Sequence, residues 1–305
     1  MNKIAFIFPG QGAQYVGMAQ DFYDGFEVVR QTYDEAEKIL GYDLLRLPEN
    51  ELILTKNSQP AIFVASVALL RVMQEKYPTL QPAVCAGLSL GEYTALFATG
   101  RISFAEALKI VAARGKFMQE ACLEEPGTMR VVLGLDPAIV EAHLPGGIWI
   151  ANLNCPGQVV IAGKASEMGK AEEALKAQGA KRVLPIDVSG AFHTPLMKSA
   201  QEKLSSLLLS APLQESTTEL VMNVPGDFAH SIEEIRQNLI AQVASKTQWE
   251  KGIRLLDQNG IDLYIEIGPG TTLSGMNKKI GVKGQTIHIE KMADLVQLDN
   301  LYAQT

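Results

Sequence analysis

Only three of the 305 residues are cysteine, Cys85, Cys122 and Cys155, an odd number without C-x-x-C spacing, and four histidines accompany them. Neither a disulfide framework nor a zinc site is predicted from so few ligands, and a reducing, cytoplasmic setting is the expectation. Positive charge is also short: 27 Lys and Arg face 34 Asp and Glu, a net charge of −7, and no Lys/Arg-rich run occurs. Neutralising phosphates needs a basic field, so nucleic acid is excluded as a partner. Long apolar runs are missing too. The longest, Ala61 to Leu70, is interrupted by Ser66 and closed by Arg71, far short of the roughly 20 residues of a bilayer span. Five apolar residues precede Pro9-Gly10, too few for the core of a signal peptide. Membrane insertion and secretion are therefore not expected. No internal repeat, low-complexity tract or Ser/Gly-rich linker divides the chain.

What the chain does have is 47% hydrophobic residues in runs that alternate between strand and helix character. Ile4 to Phe8, Ala83 to Ala86 and Leu263 to Ile267 are short continuous apolar runs ending at Pro-Gly or glycine, the pattern of strands covered on both faces. Helices are predicted near residues 26–40, 59–76, 104–121, 196–209 and 232–243. Strands alternating with helices indicate an α/β domain with a parallel sheet. Between Gly127 and Val188 the elements shorten and read, in order, βαββαβ, a ferredoxin-like unit. The predicted organisation is a large α/β domain in two parts, 1–125 and 191–305, with a small inserted domain at 126–190.

The strongest chemical signal is Gly87-Leu88-Ser89-Leu90-Gly91, a G-x-S-x-G placed directly between a predicted strand and a predicted helix. A serine on such a turn projects its hydroxyl clear of the sheet, and the helix N-terminus that follows favours developing negative charge. A nucleophilic serine needs a base. His193 lies where the chain leaves the small unit for the large one, the kind of junction at which catalytic groups collect. His143 ends a helix and meets terminal carbonyls on the simplest view; His230 precedes the predicted N-cap Ser231; His288 sits in an alternating strand pattern. Ser89, Asp262 and His288 in that order form the rival set, that of an α/β-hydrolase or thioesterase.

Arg114 is the third feature. At 100° per residue it falls about 140° from the wet face formed by Lys109, Lys116 and Glu120, among Ala107, Val111 and Met118. A cation there either closes an internal ion pair or grips a ligand carboxylate through two parallel hydrogen bonds. The loop Phe8-Pro9-Gly10-Gln11-Gly12 leaves the first strand, and its Gln11 N–H, with that of Leu90, is a candidate pair of oxyanion donors.

These segments together resemble the malonyl-CoA:acyl carrier protein transacylase family. The matching stretches are FPGQGAQ, QPAIFVAS (59–66), GLSLGEY (87–93), ARGKFMQ (113–119), NLNCPGQVVIAG (152–163), SGAFHTPLM (189–197), TQW (247–249) and EIGPG (266–270). They follow the family's order and span nearly the whole chain. The resemblance implies an α/β-hydrolase-like large domain carrying a ferredoxin-like insert, with Ser89 as acyl carrier and His193 as base. It also implies that Gln248 orients the histidine through its backbone carbonyl, that Gln11 and Leu90 supply the oxyanion N–H groups, and that Arg114 anchors the malonyl carboxylate. Met118, Phe192, Asn152 and Gln158 join it as substrate-binding positions, Phe192 being the version associated with malonyl.

The implied reaction moves malonyl from malonyl-CoA to the phosphopantetheine thiol of acyl carrier protein with no metal or bound cofactor, in fatty acid biosynthesis; a polyketide-pathway acyltransferase is the alternative within the class, and a non-catalytic carrier-binding module the one outside it. An acidic carrier calls for a basic patch at the cleft mouth, for which Lys278, Lys279 and Lys283 are available. Two positions depart from the family pattern: Leu88 stands where many members have histidine, and Arg130 where a small apolar residue is usual.

Overall fold

In the computed structural model, which describes residues 3–188 and 190–302, the run Ile4–Phe8 is a strand, β1, buried at every position, as a strand covered on both faces must be. Val84–Gly87 (β2) lies beside it in parallel. A short antiparallel-rich group follows: Gly127–Leu133 (β3), Ile148–Cys155 (β4), Gln158–Lys164 (β5) and Arg182–Pro185 (β6). The chain then returns with Glu219–Met222 (β7), Asp227–Phe228 (β8), Leu263–Ile267 (β9) and Gln285–Ile289 (β10).

Two sheets result. The larger has the order β10-β9-β1-β2-β7-β8, parallel throughout except where β8 turns back on β7; the smaller has the order β4-β5-β3-β6 and is antiparallel. Helices cover the larger sheet. The helix Thr55–Lys76 begins one turn earlier than the sequence suggests, with Pro60 inside it. The helix Phe104–Glu124 starts on the Ser103 cap, whose hydroxyl accepts the Glu106 N–H at 3.3 Å. It buries Ala107, Val111, Arg114 and Met118 and leaves Lys109 and Lys116 exposed, the face that its periodicity predicts. β7 and β8 are not signalled in the sequence, being only four and two residues long, and β6 stops at Pro185, short of the predicted Val188.

The register of β1 on β2 sets Phe8 beside Gly87, so the loops leaving these strands touch. Contact is close enough to demand glycine. A Cβ on Gly91 would lie 2.2 Å from the Phe8 carbonyl oxygen, and one on Gly87 would lie 1.9 Å from the Gly91 carbonyl carbon. Backbone on both sides leaves no rotamer to relieve the clash. Gly91→Ala is therefore expected to destabilise the fold by about 3 kcal/mol, read as a lower urea midpoint at unchanged slope; an unchanged midpoint would show that the turn has slack the geometry does not reveal.

Candidate active site

Ser89 occupies the turn between β2 and the helix Gly91–Ala98 at φ 53°, a left-handed conformation that strains a residue bearing a Cβ. Asn223, the residue after β7, holds it there. Its Oδ1 accepts the Ser89 N–H at 2.6 Å and its Nδ2 donates to the Gly87 carbonyl at 2.7 Å.

His193 is also left-handed, at φ 61°, and buried. Its Nδ1 lies 2.8 Å from the Gln242 carbonyl and its Nε2 lies 2.8 Å from Ser89 Oγ. A carbonyl only accepts, so the ring proton sits on Nδ1 and the Nε2 lone pair faces the serine hydroxyl. Burial, reinforced by the Arg114 charge, lowers the ring pKa to about 4. The imidazole is thus neutral at pH 7, in the tautomer a general base requires.

The histidine's partner corrects one expectation. It is Gln242, not Gln248. Gln242 ends the helix Ile232–Gln242, where carbonyls have no partner within the helix and are free to accept a side chain. Gln248 lies just ahead of the helix Trp249–Gln258 and is engaged elsewhere: its N–H donates to the Asn223 carbonyl at 2.8 Å and its Nε2 to the Val224 carbonyl at 2.5 Å.

Arg114 is only 1% exposed. Nη1 donates to Gln59 Oε1 at 2.7 Å; Nη2 donates to Gln242 Oε1 at 2.8 Å and to Ser89 Oγ at 3.0 Å. Among the described residues no carboxylate closes an ion pair with it, and its Nε has no partner. Its contacts are therefore neutral oxygens, which satisfy the guanidinium without cancelling its charge. Burial pulls its pKa below the usual arginine value, the field of Tyr93 and Glu92 opposing.

A cleft of about 330 Å³ opens over these groups between the two sheets. Gln11, Ser89, Met118, Phe192 and His193 line it from the large-sheet side; Asn152 and Gln158 line it from the small sheet. The Gln11 side chain donates to Thr55 Oγ1 at 3.1 Å and accepts from Gln59 Nε2 at 3.2 Å, so Gln59 bridges it to Arg114. Among the described residues the N–H groups of Gln11 and Leu90 have no protein acceptor, as oxyanion donors must. Asn152 Nδ2 donates to Thr247 Oγ1 at 2.7 Å, and Gln158 Oε1 accepts from Lys279 Nζ at 3.0 Å. Arg130 does not belong to the cleft: its Nε pairs with Glu172 at 2.7 Å. Leu88 lines the cleft and supplies only apolar surface.

The rival set does not assemble. β10, which carries His288, is three strand spacings from β2, roughly 14 Å. Its Nε2 faces Asp294 at 3.7 Å, while Asp262 accepts the Lys3 N–H at 2.8 Å. Sequence reasoning missed Gln59, Asn223 and Gln242. Gln59 and Gln242 are buried amides at the ends of predicted helices, where a polar residue on a buried face was the available signal; Asn223 follows β7, which the sequence does not signal.

The site therefore brings a serine hydroxyl, a neutral imidazole and a guanidinium without a carboxylate partner together on one oxygen, and the similarity to known proteins runs the same way. Residues 5–277 match the family described as Acyl transferase domain, which makes the chain an acyl transferase by class. It is 40% identical over 302 residues to the malonyl CoA-acyl carrier protein transacylase of Bacillus subtilis (strain 168), covering 95% of this chain and 94% of that one. It is 42% identical over 289 residues to that of Escherichia coli (strain K12), covering 92% and 93%.

A similar solved structure is a malonyl-transacylase in complex with a type II PKS acyl-carrier protein, at 40% identity and a TM-score of 0.93, covering 98% and 99% of the two chains. Another is the transacylase of Streptococcus pneumoniae, at 41% identity and a TM-score of 0.92, covering 99% and 100%. The chain belongs to the malonyl-CoA:acyl carrier protein transacylase family.

Proposed function

We propose that the chain moves a malonyl group from coenzyme A to the phosphopantetheine thiol of an acyl carrier protein, for fatty acid biosynthesis, through an ester on Ser89. The observation that carries this is one oxygen, Ser89 Oγ, held 2.8 Å from His193 Nε2 and 3.0 Å from Arg114 Nη2. His193 takes the hydroxyl proton as Oγ attacks the thioester carbonyl; the C–S bond breaks and the proton passes to the departing coenzyme A thiolate. In the second half His193 takes the proton of the carrier thiol, sulfur attacks the ester, and Oγ leaves and recovers that proton. Gln242 keeps the ring in the right tautomer throughout. The N–H groups of Gln11 and Leu90 stabilise the oxyanion, each worth about 3 kcal/mol.

Arg114 fits the malonyl carboxylate because its neutral partners leave it a charge to offer, and it fixes the carbonyl against the donors. Met118, Phe192, Asn152 and Gln158 shape the rest of the cleft for the acyl unit and the pantetheine arm. Nucleophile, base and thioester supply the whole reaction, so no cofactor is required. Lys279, at the rim through its bond to Gln158, is proposed with Lys278 and Lys283 as the carrier's basic contact. A cytoplasmic location agrees with three free cysteines, Cys85, Cys122 and Cys155. Among the described residues no helix is long and apolar enough to cross a membrane. The finer fold reading is an α/β-hydrolase-like domain, 1–125 and 191–305, with a ferredoxin-like insert at 126–190; the βαββαβ chain order and antiparallel order β4-β5-β3-β6 support it. Ser189, near that boundary, lies outside the described residues.

The test is intact-mass analysis after incubation with malonyl-CoA, followed by peptide mapping. A malonyl adduct on residue 89, discharged by added carrier protein, is the expected result; an adduct elsewhere, or none, overturns the reading. The acid limb is a second check. Because the base acts when neutral and burial lowers its pKa to about 4, the rate of Ser89 acylation is expected to stay flat from about pH 7 down to about pH 5.5 and to be halved only near pH 4. A midpoint near the ordinary histidine value of about 6.5 would show a ring exposed to water during turnover.

A further inference from the structure

Glu92 lies three residues past the nucleophile and is completely buried, yet the transfer chemistry has no use for it. A carboxylate is expensive to bury, and a neutral side chain of the same size would be cheaper. Burial pushes its pKa up, against the hydrogen bonds it accepts and the Arg114 charge; both of its oxygens face N–H donors, which leaves a carboxyl proton no acceptor and holds the group as the carboxylate.

Its bonding explains why neither glutamine nor an apolar residue would serve. Oε1 accepts the Asn223 backbone N–H at 2.5 Å, and Oε2 accepts the Gln242 side-chain amide in a very short contact. Both partners are donors. An ionised carboxylate offers two acceptor oxygens, whereas a glutamine offers one oxygen and would turn its own NH₂ against the second N–H.

The two partners are the residues on which the reacting groups hang. Asn223 pins the Ser89 amide and the Gly87 carbonyl. Gln242 holds His193 through its carbonyl and Arg114 through Oε1, and its Nε2 also donates to the Ser89 carbonyl at 2.9 Å. They come from separate elements, the end of β7 and the end of the helix Ile232–Gln242. We propose that Glu92 is a positioning residue, a double acceptor that locks Asn223 and Gln242 to the helix after the nucleophile so that Ser89 Oγ, His193 Nε2 and Arg114 Nη2 meet. The proposal rests on Ser89 and His193 being the reacting pair.

Glu92→Gln tests it. Malonyl transfer is expected to lose kcat by a factor on the order of 10 to 100, the effect of displacing reacting groups by a fraction of an ångström. KM for malonyl-CoA should move by less than about threefold, since the residue does not line the cleft. The thermal midpoint should stay within a few degrees. The malonyl adduct should still form on Ser89, but more slowly. Unchanged kcat, or a loss matching only a smaller folded fraction, overturns the proposal.

Should Glu92→Gln not fold, Gln242→Met takes its place: it keeps the backbone carbonyl on His193 and deletes the amide that Glu92 holds. Read with acetyl-CoA, where no substrate carboxylate calls on Arg114, it is expected to lose kcat to the same extent, and undiminished acetyl transfer overturns the idea. Where both fold, the double variant should lose little more than either alone; additive losses reject a shared mechanism. Absence of any adduct on the unaltered protein would instead discredit the serine chemistry, leaving the role of Glu92 in positioning without its object and equally rejected.

Discussion

Ser89→Ala and His193→Ala are each expected to lower malonyl transfer by a factor on the order of 10⁴ or more, and the double variant to be little worse than either single one. The reason is that the two side chains act as one unit across a 2.8 Å contact. Without the hydroxyl there is nothing to carry the acyl group; without the imidazole the hydroxyl keeps its proton at neutral pH. Residual activity would come from the oxyanion donors and from holding the substrate. Stability should change little at 89, because losing the hydroxyl leaves Asn223 still accepting the backbone N–H. Steady-state transfer to carrier protein, with the thermal midpoint as control, measures this. Losses that multiply in the double variant would mean that the groups act independently, and the dyad would have to be abandoned.

Arg114→Ala should separate substrates. Malonyl transfer is expected to fall by a factor on the order of 10² to 10³, the cost of leaving a carboxylate without its two-pronged partner in a dry cleft, while acetyl transfer falls by less than about tenfold. Acetyl is not spared entirely, since Nη2 also donates to Ser89 Oγ. Arg114→Lys should rescue little, because a single ammonium cannot reproduce a planar fork. The substitution also strips donors from Gln59 and Gln242, so a loss of about 1–3 kcal/mol in stability is expected beside the kinetic effect. Initial rates with the two acyl-CoA substrates, normalised to folded protein, decide the matter. An equal loss with both would reduce Arg114 to a structural brace.

What could be read in advance followed from local pattern. β1, β2 and β9 were legible because a strand covered on both faces is apolar at every position, and the serine turn because glycine, strand and helix coincide within five residues. Arg114 stood out because helical periodicity puts a charge on an oily stripe. β7 was not legible: Glu219–Met222 has too few residues to show a period, and its place beside β2 is a long-range choice. The same limit explains the histidine's partner. Gln242 and Gln248 are six residues apart, both follow or precede a helix, and only the packing of the helix Ile232–Gln242 against the loop bearing His193 decides which carbonyl arrives. Asn223 and Glu92 act through backbone and amide contacts across more than 100 residues of chain, which no window of sequence contains.

Both residues proposed to react, Ser89 and His193, sit in left-handed backbone, at a cost of about 1–3 kcal/mol each. Glycine at 89 would relieve that tension at the loss of the hydroxyl, whereas at 193 it would also empty a buried ring site and leave the Gln242 carbonyl without its donor. Searches for heat-resistant variants that screen on folding alone would thus drift toward a dead catalyst at residue 89, and any useful gain in robustness has to be sought elsewhere in the molecule.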